Sequence, residues 1–307
     1  MLVNKLIKYV LLIGVSFLMN SQLNAQAISG KSNVVKVDFT QESRAMAEVK
    51  KEVVEAPKDE VTEKLGIVEK PKYHALIIGI SEYQYAGAKL PNLDKPVEDA
   101  TKLYEVLTTK YNFDPENVVF LKNPDRAKLI DTFYEVSNVV GERDNLLIFY
   151  AGHGFYDEAK DFGYWLPSDS KAESRANWIA NSTIKDYVSA IPSKHTLLIT
   201  DACFGGSIFK TRAVSSMSLL KINELYRDRS RKAITSGSLT EVPDESFFLY
   251  MLLKTLDENE YQFLPASSIF SRIYEPVMNN APSTPQFGVI QGAGDEGGDF
   301  IFIKRKQ

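Results

Sequence analysis

The chain has a single cysteine, Cys203, among 307 residues. No disulfide can close within it, so its stability does not rest on one, even in an oxidising compartment. Histidine is scarce too: His74, His153 and His195 are scattered, and with one Cys they make no zinc-binding spacing. An excess of one charge is also missing, since 36 Lys and Arg against 40 Asp and Glu leave a formal −4. That mildly acidic balance gives no sign of a nucleic-acid partner. There is no internal repeat. The apolar run at 9–19 is too short to span a bilayer comfortably.

What is present divides the chain into three. Residues 1–27 carry Lys5 and Lys8, the apolar run, and small residues at 23–27, and they read as an export signal. No cysteine follows the run, which excludes lipid attachment there. The expectation is a periplasmic or secreted protein with no stable membrane insertion once the signal is removed. Removing Lys5 and Lys8 takes the formal charge to −6. Residues 28–71 are rich in Lys, Glu, Val and Ala, nearly lack aromatics, and read as a charged linker or propeptide-like arm. Residues 72–305 form the remaining domain.

Within that domain, apolar runs alternate with amphipathic ones. Residues 74–80, 117–121, 146–150, 196–200 and 232–236 read as strands, with 286–290 and 299–303 strand-like. Helices are expected over 96–111, 125–140, 182–191, 246–256 and 266–278. The β-α-β-α-β order implies a parallel sheet with helices on both faces. The Gly-rich 291–298 stretch reads as a hairpin turn, because no helix follows its Gly292-Ala293-Gly294.

Two of these strands run into chemistry. One continues as Ala151-Gly152-His153-Gly154, the other as Asp201-Ala202-Cys203-Phe204-Gly205-Gly206. In an open parallel sheet the C-terminal strand edge is where ligands collect. A thiol attacks as the thiolate, and an imidazole can take its proton. Glycines beside both leave room for a substrate backbone and for N–H donors to an oxyanion. A lone Cys is usually a small buried hydrophobe; the Gly-flanked pair argues against that. His74 and His195 begin strands, away from this edge, and read as structural.

The two motifs resemble those of caspase-like cysteine peptidases, especially the metacaspase and bacterial caspase-like branch of peptidase family C14. Caspases place the His about 50 residues before the Cys, and here His153 and Cys203 stand 50 apart. Asp201 replaces the Gln of the animal caspase motif, and Phe204 follows the Cys. The resemblance implies a three-layer α/β/α sandwich with a mostly parallel, about six-stranded sheet. It divides the domain into a large portion at 72–206, a linker at 207–231 and a small portion at 232–305. It implies a cysteine endopeptidase with a Cys-His dyad, a thioester intermediate, His153 as general base and acid, and Cys203 as nucleophile. The backbone N–H groups of Gly154 and Cys203 would be the oxyanion donors. No third triad member is evident.

Substrate choice turns on acids. Asp201 lies two residues before the nucleophile, so on a strand its side chain shares that face, and a carboxylate there would pair with a basic side chain. In metacaspases this position resembles a wall of the P1 pocket, and those enzymes cut after Arg or Lys. The same likeness points to Asp99 as a second wall. The plain alternatives are a strand-end cap for Asp201 and helix-dipole matching for Asp99. Protein or peptide substrates with a basic P1 are therefore expected. No cofactor or metal is implied, although Ca²⁺ activates some metacaspases and Asp157, Glu158 and Asp161 are acidic neighbours in one loop. The basic 207–231 stretch reads as a site of self-cleavage after Lys210 or Arg212, with Arg227 and Arg229 as alternatives. Two other functions fit the motifs: a catalytically inactive interaction domain, and a ligase or transpeptidase using the same chemistry.

Overall fold

Three strands of seven residues, every residue buried, form the centre of the protein: β1 (Tyr73–Gly79), β3 (Asn145–Ala151) and β7 (His195–Asp201). Strands covered on both faces read as continuous apolar runs rather than alternating ones, which is how these were legible. The computed structural model describes residues 60–66, 70–202, 208–210, 222–237 and 246–306. These lie in one compact unit, Pro57–Gln307. Residues 1–27 and 28–59, the expected signal and most of the arm, lie outside the described residues.

In chain order the elements are α1 (Glu60–Leu65), β1, α2 (Pro96–Lys110), β2 (Val118–Lys122), α3 (Arg126–Val139), β3, β4 (Gly154–Asp157), β5 (Phe162–Trp165), β6 (Ile179–Ala180) and α4 (Asn181–Ala190). Then follow β7, β8 (Phe209–Lys210), α5 (Ile222–Arg227), β9 (Ser230–Thr235), α6 (Phe247–Asp257), β10 (Phe263–Pro265), α7 (Ala266–Asn280), β11 (Gln286–Ile290) and β12 (Ile301–Ile303). The main sheet has the order β2-β1-β3-β7-β9-β11, with the two-residue β8 on its outer edge. β2, β1, β3, β7 and β9 are mutually parallel; β11 runs antiparallel to β9, and β8 antiparallel to β11. This is the mostly parallel six-stranded α/β sheet expected.

Alternate residues of each strand face opposite layers. Ala75, Leu147, Ile199 and Ile234 face α2, α6 and α7, packing on Leu103, Leu252 and Ile273. Leu76, Ile148, Leu198 and Ala233 face α3 and α4, packing on Phe133 and Ile184. Full burial of each Leu, Ile or Phe among them stabilises by about 1.5–3 kcal/mol, so the two layers fix the sheet between them. Helix starts are locally encoded. Asp125 Oδ1 accepts from Lys128 N at 2.8 Å, and Ser246 Oγ accepts from Leu249 N at 3.2 Å.

Two expectations need correction. The stretch after β11 is not a hairpin: β11 joins the main sheet, whereas β12 pairs with β10 in a separate two-stranded sheet. Instead the backbone N–H groups of Glu296 and Gly298 donate to Arg229 O. The strand after the linker also begins earlier than expected, at Ser230. Arg231 is 1% exposed, and its guanidinium donates to the carbonyls of Ile191 and Ser193 at 3.0 and 2.8 Å.

Candidate active site

β3 and β7 are neighbours, paired from Asn145↔His195 to Ala151↔Asp201 with a constant offset of 50 residues. The separation of His153 from Cys203 is the same offset. Cys203 itself, with Gly205, Gly206 and Arg212, lies outside the described residues. His153 lies two residues past the end of β3 and is held on both sides of its backbone. Its N–H donates to Tyr83 Oη at 2.7 Å, and its carbonyl accepts from Tyr150 Oη at 2.6 Å. The rings of Tyr83 and His153 lie 4.9 Å apart. Burial pushes both phenols well up, so they stay protonated at any physiological pH. Gly152 makes the approach possible, because a Cβ there would come within 3.1 Å of Tyr83 Oη and 3.2 Å of Tyr150 Oη.

The imidazole is oriented by a group that carries no sequence signature. His153 Nε2 lies 2.8 Å from the carbonyl oxygen of Pro91. A carbonyl only accepts, so in the neutral ring Nε2 carries the proton and Nδ1 is the basic nitrogen. Pro91 belongs to the loop between β1 and α2, which Asn92 and Asn123 pin. Asn92 Oδ1 accepts from Tyr83 N, and Asn123 Oδ1 accepts from Ser81 N, each at 2.8 Å. Tyr83 and Pro91 were not among the sequence candidates. A backbone carbonyl is invisible in a sequence, and a tyrosine in a polar loop announces nothing.

Asp201 ends β7 and is 5% exposed, on the α2-facing side with Ile199. Burial pushes its carboxyl up to about 6. The hydroxyls of Ser236 and Ser246 hold it down, and the charge of Asp99 adds to the rise. Oδ1 has no hydrogen-bond partner among the described residues. Asp99, in the first turn of α2, is also raised, chiefly by burial, although Lys102 Nζ lies 3.4 Å from its Oδ1. Asp99 and Ser246 both line a groove of about 570 Å³ between α2 and α6, with Val106, Phe247 and Tyr250. The structure thus brings the two predicted acids to one face of the strand edge.

The other predicted residues are placed as follows. Gly154 opens β4, opposite Trp165. Lys210 ends β8, opposite Val289. Asp157 is ion-paired to Lys160 at 3.2 Å and Arg175 at 3.6 Å, and Asp161 accepts from Tyr156 Oη. Among the described residues no cluster of His, Cys, Asp and Glu is arranged to hold a metal.

The caspase-domain family model matches residues 72–281, which include His153, Asp99 and Asp201. The chain belongs to the caspase-domain peptidase family, C14. Its fold is similar to that of caspase-1 from Spodoptera frugiperda, with a TM-score of 0.51 and 15% identity over 72% of this chain and 87% of that one. Protein GSU0716 from Geobacter sulfurreducens is also similar (TM-score 0.49, 17% identity, 74% of this chain and 97% of that one). So is the Drosophila initiator caspase Dronc (TM-score 0.48, 11% identity, 73% and 81%). No curated protein sequence matches the chain. Caspase-like peptidases act on protein substrates.

Proposed function

We propose that this chain is an exported cysteine endopeptidase that cuts after Arg or Lys. The observation that carries the reading is the Pro91–His153 contact. It commits Nε2 to a carbonyl, which makes Nδ1 the basic nitrogen of the neutral ring, beside the strand that neighbours the Cys203 strand. Nδ1 takes the Cys203 proton, and the thiolate adds to the scissile carbonyl. The oxyanion is stabilised by the N–H groups of Gly154 and Cys203. The intermediate collapses with proton donation from His153 to the leaving amine, giving a thioester that water then hydrolyses. No metal or cofactor enters these steps.

The basic preference rests on Asp201. It is buried, no cation pairs with it among the described residues, and Asp99 destabilises its charge further. A guanidinium or ammonium placed there would relieve both costs. Asp99, which already has Lys102 at 3.4 Å, contributes less. Self-cleavage belongs to the same reading, after Lys210 or Arg212. Because Lys210 pairs with Val289, Arg212 offers a cut that leaves β8 intact. Assaying the domain on peptides with Arg, Lys or Asp at P1 tests the reading: cleavage after Asp, or none at all, refutes it. Intact-mass comparison of wild type with Cys203→Ala tests the processing, which an uncut active wild type would exclude.

A further inference from the structure

The hairpin that follows His153 carries an aromatic surface that the reaction above does not use. β4 and β5 pair Phe155 with Tyr164 and Asp157 with Phe162, so these four side chains share the outer face. The inner face holds Trp165, fully buried, with its ring 4.3 Å from Tyr150 and 6.3 Å from Phe133. On the outer face Phe155 is 36% exposed and Phe162 54%. Phe155 and Tyr164 lie 5.0 and 5.6 Å from the ring of Trp178, and the Arg175 guanidinium stands 5.4 Å from both Phe155 and Trp178. Unlike exposed aromatics scattered singly, Phe155 and Phe162 stand on one face of the hairpin that begins directly after His153.

Their position follows from strand alternation and from acyl-transfer chemistry. Asp201 lies on the α2-facing side of the sheet, whereas the hairpin packs on Tyr150 and Phe133, on the α3-facing side. His153 lies in the turn that joins β3 to the hairpin. The general acid must reach the leaving nitrogen, so the chain beyond the scissile bond passes over His153. A P1 side chain seated at Asp201 then sends the leaving segment toward the opposite layer, where the hairpin is. Phe155 is two residues past His153, which at about 3.3 Å per residue is the reach of the second residue after the cut.

We infer that the outer face of the β4–β5 hairpin is a specificity subsite for the leaving-group side of the substrate. It takes an aromatic or large aliphatic side chain two residues past the scissile bond. This rests on the endopeptidase reading above. Two internally quenched peptides with Arg at P1, differing in Phe or Gly at that second position, test it beside an arginyl aminocoumarin that has no residues past the cut. Wild type should turn over the Phe peptide about tenfold better in kcat/KM, a typical discrimination for one apolar contact. In Phe155→Ala, and separately in Phe162→Ala, that ratio should fall toward one. Because the ratio is read within each protein, loss of folded enzyme cancels. A wild-type ratio of one with the aminocoumarin cleaved overturns the subsite and leaves the endopeptidase reading standing, and so does a ratio that survives in both variants. No cleavage of any of the three overturns both.

Discussion

At the N-terminal end of β3 and β7 the polar groups close on one another. His195 lies 2.8 Å from Asn145 Oδ1 and 3.1 Å from Asp228 O, and Asn145 Nδ2 donates to Tyr226 Oη. His195 is fully buried, and burial pushes its pKa down to about 3, so the ring is neutral and its single N–H donates to Asn145 Oδ1 or to Asp228 O. At the C-terminal end of the same strands His153 is half-buried and fixed by its backbone and Nε2. Asp201 there keeps Oδ1 without a partner among the described residues. On the proposed reading, two histidines at opposite ends of adjacent strands thus have opposite uses. A closed polar network holds a sheet together, while an open one retains binding energy for a ligand.

The comparison breaks most sharply if the histidines are exchanged in importance. His153→Ala should lower kcat on an Arg-P1 peptide on the order of 10⁴-fold or more, because base and nucleophile act as a unit. His195→Ala should leave kcat per folded molecule near wild type and cost about 1–3 kcal/mol of stability by orphaning buried partners, measured by urea denaturation. Equal kinetic losses in the two variants would contradict the assignment.

Next in size is specificity. Asp201→Asn should lose roughly 2–5 kcal/mol of discrimination for Arg over a neutral P1 side chain. An unchanged kcat/KM ratio would place the pocket elsewhere. The same variant should show a pH-dependent gain in stability. Because the folded carboxyl is raised to about 6 by burial, wild type pays nothing for it below the ordinary Asp range and loses stability as pH rises through about 6. Melting curves of the two proteins should coincide near pH 4 and diverge toward pH 8. There Asn is favoured by on the order of 2–3 kcal/mol, about two pKa units. A constant difference across that range would mean that Asp201 is not buried as a charge. The smallest effect belongs to Tyr83→Phe. It removes the hydroxyl that accepts from His153 N, so kcat should fall about tenfold with KM nearly unchanged, the cost of roughly one hydrogen bond. A change in KM alone would deny Tyr83 its positioning role.

How much of this was legible in the sequence depended on local encoding. β1, β3 and β7 are buried on both faces, so their apolar runs stood out, and β11 was expected over the same residues it occupies, Gln286–Ile290. α2 opens at Pro96 and α6 after a Ser cap, both local signals. The β10–β12 pair went unrecognised because it joins two three-residue strands far apart in sequence, and the Gly-rich stretch before β12 imitated a turn. Arg231 looked like loop charge because its partners, carbonyls at 191 and 193, are contributed by another segment. The site divided in the same way. His153 and Asp201 lie on strand ends and could be placed by register, whereas the Pro91 carbonyl and the Tyr83 hydroxyl reach the site through a loop closed by tertiary contacts.

The central claim is that the C-terminal edge of β3 and β7 is a thiol catalytic centre. The most direct measurement is kcat/KM on one Arg-P1 peptide and its Asp-P1 counterpart, for wild type and Cys203→Ala at matched folded concentration. The account predicts turnover of the Arg peptide alone, by wild type alone. Cleavage of the Arg peptide by folded Cys203→Ala at a rate comparable to wild type would contradict it.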